Sequence, residues 1–159
     1  MNEQRILDSR KVVTGKDGQV FITTRSGVNI FLAEVDTFQA QMSINNADLQ
    51  PVGSALTFGV PTGHSITIAM TEAVVRDDVI MEEIIEELAL NRYPSFDIQG
   101  KLNRRDGEVQ RIVYRRCMLD GSLDLQNFQP GDIIKRQLNF RVNSNPELLS
   151  IFDNPEIYL

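Results

Sequence analysis

The chain has 159 residues, 42% of them hydrophobic, which suits one packed domain and excludes wholesale disorder. A net charge of −6 excludes the broad basic surface that nucleic-acid binders present, although an acidic wall can still repel a passing phosphate backbone. The single cysteine, Cys117, excludes an intrachain disulfide and fits a reducing cytoplasm.

No signal peptide is expected, because the opening stretch MNEQRILDSRKVV lacks an apolar core, and no apolar run approaches the ~20 residues of a membrane helix. Residues 1–14 read as a charged N-terminal arm. Asp17-Gly18 then turns into a β-prone run from Gln19 to Thr24, and RSGVN turns that run back into IFLAEV. A strand from Glu34 to Asn45 follows. In it Phe38, Ala40, Met42 and Ile44 alternate with Thr37, Gln39, Gln41, Ser43 and Asn45.

Residues 46–63 hold several glycines and prolines, and read as a long loop rather than a strand or helix. Its apolar set, Leu49, Val52, Leu56, Phe58 and Val60, argues against disorder, and the stretch is expected to order against something. SITIAMTEAVV restores the alternation: Ile66, Ile68 and Met70 on one face, Ser65, Thr67, Ala69 and Thr71 on the other. Between Thr37 and Thr71 the sole charged residue is Asp48, in a chain that is 24% charged.

The period then changes. Ile80, Ile84 and Leu88 lie four apart with Met81 and Ile85 beside them, which predicts a helix over about 78–91 capped by Asp77 or Asp78. Ile80, Ile84, Ile85 and Leu88 are its expected packing face. Glu82, Glu83, Glu86 and Glu87 are its expected outer face, either merely solvated or able to dock a basic partner. YPSFDIQGKLN reads as a strand, RRDGE as a hairpin turn and VQRIVYRRCML as the return strand. GSLDLQNF reads as a short strand, QPGD as a turn and IIKRQLNFRVN as a last strand. The tail is irregular, with Leu149, Ile151 and Phe152 as anchors. The sum is mainly β: an antiparallel β-sandwich or small barrel with one helix, in a single domain over 1–159.

Nothing in this pattern predicts catalysis. His64 stands alone in a Pro-Thr-Gly-His turn, and Cys117 sits mid-strand as a buried structural thiol. One His and one Cys cannot supply a metal site, and Gly53, Gly59 and Gly63 lack the spacing of a phosphate loop. The expectation is no enzyme, no metal and no cofactor.

Several stretches in order resemble the tail tube proteins of contractile phage tails, phage-like elements and R-type bacteriocins of Gram-positive bacteria. They are TGKDGQVFI, LAEVDTFQAQ, the helix, YPSFDIQGKL and IFDNPEIY. No one motif is specific; the likeness lies in their order and spacing from about Lys11 onward. The chain departs from that pattern in a longer first hairpin near TTRSGVN and in the absence of basic residues from 46–63.

The resemblance implies a structural subunit. Hexameric rings stack into a hollow tube, strands of neighbouring subunits close one large barrel, and a contracting sheath drives the tube through a cell envelope. Its partners are then further copies of itself, sheath, tape-measure and baseplate proteins, and DNA passing without specific binding. It has no membrane anchor, is assembled in the bacterial cytoplasm and leaves in the released particle. Thr37, Gln39, Gln41, Ser43, Ser65, Thr67 and Thr71 are expected to face the bore. Ser122, Asp124, Gln126, Lys135, Gln137, Asn139 and Arg141 are expected to complete the wall with nearly cancelling charges. The alternatives are a type VI secretion-like ring protein and a monomeric ligand-carrying β-barrel, which would line its interior with apolar residues.

Overall fold

The computed structural model describes residues 15–24, 27–74, 79–105 and 107–152; the expected N-terminal arm and the Asp77/Asp78 helix cap lie outside them. After a short turn, Gly15–Asp17, the elements are β1 (Gly18–Thr23), β2 (Asn29–Phe31), β3 (Val35–Leu49), β4 (Phe58–Ala73), α1 (Met81–Ala89), β5 (Ser95–Asn103), β6 (Val109–Leu119), β7 (Lys135–Val142) and β8 (Glu147–Ser150). The fold is mainly β with one helix. The strands form an antiparallel path β2-β1-β5-β6-β7-β4-β3, with β8 on β6. The sheet folds over itself as a sandwich and does not close into a barrel.

The fold-over happens on β6. Its residues 111–113 pair with β8, whereas its residues 117–119 pair with β7. Between them Arg116 takes a left-handed backbone at φ 55°, unusual for a non-glycine residue. The Asp97 carboxylate holds this kink: it accepts the Arg116 backbone N–H at 3.2 Å and an Arg115 guanidinium N–H at 3.4 Å. The β5–β6 register shifts at the same place, between Phe96 and Ile98. One strand therefore serves both layers, and the bulge bends it from one to the other.

The core fills the space between those layers. Ile66, Ile68 and Met70 of β4 and Leu138, Phe140 and Val142 of β7 meet Val20 and Ile22 of β1, Phe96 and Ile98 of β5 and Tyr114 and Cys117 of β6. Phe96 and Phe140 meet edge to face at 6.0 Å. Gly100 of β5 leaves room for the Phe38 ring, which would sit 3.4 Å from an added Cβ. The alternation expected for β4, β5 and β7 is thus the alternation that buries this core; on β3 only Phe38 and Ala40 pack against it, half-buried, while Met42 and Ile44 of the same expected face are exposed because the strand has left the body there. At one edge of it Glu72 and Arg136, opposed in the β4–β7 register, form a buried ion pair at 3.4 Å.

Four expectations change. The stretch 46–63 is not one long loop: β3 runs to Leu49, β4 starts at Phe58, and residues 50–57 connect them. The segment GSLDLQNF is irregular rather than a strand, although Leu123 does pack against the core. The tail contains β8, and its Leu149 and Ile151 are exposed; Phe152 stacks on Arg104 at 5.1 Å. The helix is shorter and is turned differently from its predicted face. Ile80, Met81, Ile84 and Glu87 are buried, whereas Ile85 and Leu88 are 56% and 47% exposed. Glu87 goes inward because the chain returns past it: Arg92 donates its N–H to the Glu87 carbonyl and its guanidinium meets the carboxylate at 3.2 Å. Asn91, at φ 57°, makes that reversal, and Pro94 follows.

Candidate functional site

The surface that sets this molecule apart is the β3–β4 hairpin. β3 is 15 residues long and forms one end of the strand path. It pairs with β4 on one side, and among the described residues nothing pairs with its other side. From Gln41 to His64 every residue except Ser54 is exposed, so the hairpin stands out from the body as an arm.

The register brings the expected neutral residues together. Thr37 opposes Thr71, Gln39 opposes Ala69, Gln41 opposes Thr67 and Ser43 opposes Ser65. Directly opposed side chains of an antiparallel pair share a face. On β7, Lys135, Gln137, Asn139 and Arg141 oppose Ala73, Thr71, Ala69 and Thr67, so they continue that face. Met118 of β6 and Ser95 of β5 extend the Thr67–Arg141 row across the kinked strand. This face is uncharged on β3 and β4 between Thr37 and Asn45 and between Gly63 and Ala73, apart from Glu72, which points into the core.

Its charges do not cancel in the expected way. Lys135 meets Asp36 at 2.9 Å and is neutralised there. Asp124, Ser122 and Gln126 belong to the irregular segment instead of a wall strand. Arg141 is exposed on the face and has no acidic partner within ion-pair distance among the described residues. The sequence alternation identified the β7 half of this face, but the Asp36 partner comes from a residue 99 positions away and left no local signal.

The arm has a second property that sequence alternation missed. The β3–β4 register shifts between Asn45 and Asn46: Asn45 opposes Gly63 while Asn46 opposes Pro61, so Thr62 is the extra residue of a bulge. Its hydroxyl donates to the Asn45 carbonyl at 3.1 Å. Before the bulge the neutral face carries Gln41, Ser43 and Thr67. Beyond it the same face carries Ala47, Leu49, Val60 and Phe58, and polar Asn46 and Asp48 occupy the other face. The apolar side of the arm switches at Thr62. Leu49, Leu56, Phe58 and Val60 are exposed by 55%, 62%, 47% and 44%, and Val52 is fully exposed. On the proximal arm Met42 and Ile44 are exposed as well.

The remaining candidates are simpler. His64 Nε2 lies 3.0 Å from Asn145 Oδ1 in an open surface hollow, which ties the arm's root to the turn after β7. The Cys117 thiol is buried and donates to the Tyr114 carbonyl; burial pushes its pKa up to about 12, so it is no nucleophile at neutral pH. Among the described residues no group of three His, Cys, Asp or Glu side chains is placed to hold a metal. Of the helix carboxylates, Glu82 and Glu86 are exposed, Glu83 is half-buried and Glu87 is buried.

No curated protein matches the sequence. The fold is similar to that of a chain in the sheath/tube terminator of an extracellular contractile injection system, with a TM-score of 0.66 at 15% identity over 87% of this chain and 97% of that one. It is also similar to a chain of the anti-feeding prophage tube-terminating cap, at 0.65 and 13% over 95% and 100%. A chain of a native gene transfer agent virion scores 0.60 at 14% over 87% and 100%. In sequence, the family model described as phage tail tube protein matches residues 5–148, which is most of the chain, and the chain therefore belongs to the phage tail tube protein family.

Proposed function

We propose that the chain is the structural subunit of the inner tube of a contractile injection particle, a phage tail or an R-type bacteriocin. Hexameric rings of it stack into a hollow tube, which a surrounding sheath drives through the target envelope. The observation that carries this reading is β3: a long edge strand that from Thr37 to Asn45 is neutral and polar on one face and apolar on the other, and whose outer side nothing pairs among the described residues. An edge of that kind is covered by another chain or it aggregates. Covering it with a strand of the neighbouring subunit extends the sheet around a ring, and a barrel of many strands leaves an aqueous channel.

Thr37, Gln39, Gln41, Ser43, Ser65, Thr67 and Thr71 then face the bore, with Gln137, Asn139 and Arg141 beside them. A wet wall must be polar, and a wall past which cargo slides must not bind it strongly. Hydroxyls and amides meet both demands. DNA or a tape-measure protein passes along it without a specific site, and the baseplate closes one end. The space between the layers is packed by Phe96, Phe140 and their neighbours, which gives a ligand-carrying barrel no support. The subunit is made in the bacterial cytoplasm and leaves in the particle.

Electron microscopy of the purified chain tests assembly: rings or tubes are expected, and a persistent monomer at high concentration overturns the reading. Introduced thiols test the wall. In intact tubes, Gln39→Cys and Thr67→Cys should react with a small reagent and resist one too bulky for the bore. Free reaction with the bulky reagent places that face outside.

A further inference from the structure

Among the described residues, one charge on the face shared by β3, β4 and β7 has no ion-pair partner. Lys135, at the start of β7, is neutralised by Asp36, and Glu72 is buried against Arg136. Arg141, near the end of β7, is exposed and opposes Thr67. It borders an open hollow of about 360 Å³ whose other polar lining is His64, Ser65, Asn143, Ser144 and Asn145. The β4–β7 ladder ends at Ile66 and Val142. The next residues, Ser65 on the way into the arm and Asn143 on the way into the turn, part there, and the hollow is the notch between them. Among the described residues no carboxylate lines it.

We infer that this notch seats a phosphate of the backbone of duplex DNA in the bore. The Arg141 guanidinium supplies the attracting charge, and the Ser65 hydroxyl and the Asn143 and Asn145 amides supply further donors. The inference rests on the tube reading above, which it deepens by naming the cargo and the place on the wall that meets it. A guanidinium offers two parallel N–H groups to phosphate oxygens, and Ser and Asn side chains commonly complete such contacts. The Asn145 amide oxygen can only accept, so His64 Nε2, at 3.0 Å, is its donor, and the Asn145 amide N–H groups remain for an anion.

Neighbouring charges do not undo this arrangement. Asp120 follows β6, where its N–H donates to the Asn139 carbonyl, and Arg116 occupies the kink, where its carbonyl accepts the Asn143 N–H. The two are of opposite sign, and neither lines the hollow. Glu147, beyond the turn, is held by Arg115 at 3.1 Å. One cation among hydroxyls and amides attracts a polyanion without gripping it. The wall also favours duplex DNA over an acidic polypeptide. The residues that share this face on β3, β4 and β7 include no aromatic or large apolar side chain to receive a polypeptide's apolar groups or an unpaired base. A duplex hides its bases and turns its phosphates outward. Phosphate contacts read no sequence, so passage stays unspecific. Repeated by every subunit, the notch gives a sliding backbone a series of equivalent stations.

The test grows tubes of the full chain at low salt with a short blunt-ended DNA duplex, digests outside DNA with nuclease and measures what stays protected. Wild-type tubes should protect the duplex, and protection should fall steeply as salt is raised. Arg141→Gln should give tubes of normal length that protect roughly fivefold less DNA, while Arg141→Lys retains most of the protection. Asn143→Asp, which brings a carboxylate into the notch and leaves Arg141 in place, should lower protection as well. Equal protection by Arg141→Gln overturns the inference, as do intact wild-type tubes that protect no DNA. Protection of labelled polyglutamate from protease, with the duplex excluded, assigns the notch to an acidic polypeptide and also overturns it. Failure of the wild-type chain to assemble overturns the tube reading and this inference together. A second measurement leaves Arg141 unaltered. In preformed Thr67→Cys tubes an anionic methanethiosulfonate should react faster than a cationic one, each relative to its rate with a free thiol, and high salt should erase the preference. Cys117 is buried and adds no background. Equal relative rates at low salt, or a faster cationic reagent, overturn the inference.

Discussion

The two halves of β4 have the same alternating pattern and opposite fates. From Ile66 to Ala73 the strand lies between β3 and β7, and Ile66, Ile68 and Met70 are at most 4% exposed. From Phe58 to His64 it pairs with β3 alone, and every residue is open to solvent. The first half has its core within its own chain. The second has apolar residues of similar size and no core to enter. The body half of the strand folds the subunit; on the function proposed above, the arm half is the part that joins subunits.

The largest effects should separate the halves. Phe140→Ala empties a fully buried ring position against Phe96 and should cost the monomer ~3–5 kcal/mol by urea unfolding. Phe58→Ala should leave the monomer's unfolding unchanged within ~0.5 kcal/mol and reduce tube formation instead. Equal losses of monomer stability from the two would erase the distinction between body and arm. Deleting residues 49–60 carries the same idea further, and should yield a folded chain that does not polymerise; normal tubes would show that the arm tip is dispensable.

Next in size is the ion pair at the edge of the body. Arg136→Met leaves the Glu72 carboxylate buried without its guanidinium, and should lower stability by ~3 kcal/mol or more. A loss below ~1 kcal/mol would mean that Glu72 finds water or another donor, and that the body is less closed at this edge than its burial implies.

Smaller effects concern the helix. Replacing Glu82, Glu83 and Glu86 with Gln should leave folding intact; reduced assembly of sheath on preformed tubes would assign them a docking role, and unchanged assembly at moderate salt would exclude one. Exposed pairs are individually worth ~0.2–1 kcal/mol, so the group must be changed together. Glu87→Gln, in contrast, should weaken the monomer by about 1 kcal/mol through the lost contact with Arg92.

The smallest effect at neutral pH is that of Cys117. Its pKa rises from 9.0 in the open chain to about 12 in the fold. The folded state therefore favours the protonated thiol. That contribution to stability is fully present below about pH 9 and is lost as the pH climbs toward about 12. At pH 8 the folded protein should not react with an aromatic disulfide reagent, whereas a thiol placed by Leu49→Cys in the unassembled chain should react at once. Prompt reaction of Cys117 would mean that the body opens as readily as the arm.

Much of the body was legible because a strand with one buried face writes a period of two into its sequence, and α1 a period near four. The arm was harder. Gly59, Pro61 and Gly63 look like loop residues, yet they lie in β4 beyond the last residue that β7 pairs. There the ladder has one free side, and a proline or bulge costs little. GSLDLQNF misled in the other direction: of its two alternating leucines only Leu123 packs against the core, and Leu125 is exposed. The helix face was wrong because Arg92 draws Glu87 inward from a turn that the periodicity does not describe, while Ile85 and Leu88 are left exposed. On the shared face of β3, β4 and β7, the neutral residues were visible and the Asp36–Lys135 pairing was not.

The uncharged edge of β3 also bears on the time between synthesis and assembly. Exposed edge strands of soluble proteins commonly carry a lysine or an inward charge that discourages stray pairing. Between Thr37 and Asn45 this one carries none. Until it is covered, the free subunit is shielded from aggregation chiefly by mutual repulsion of chains that each bear a net charge of −6. Added salt screens that repulsion over a distance of about 10 Å at 0.1 M and less at higher concentration. Ionic strength then acts on two competing reactions at once, ordered growth and disordered clumping, and the window in which the first outruns the second is set by colloidal charge as much as by shape.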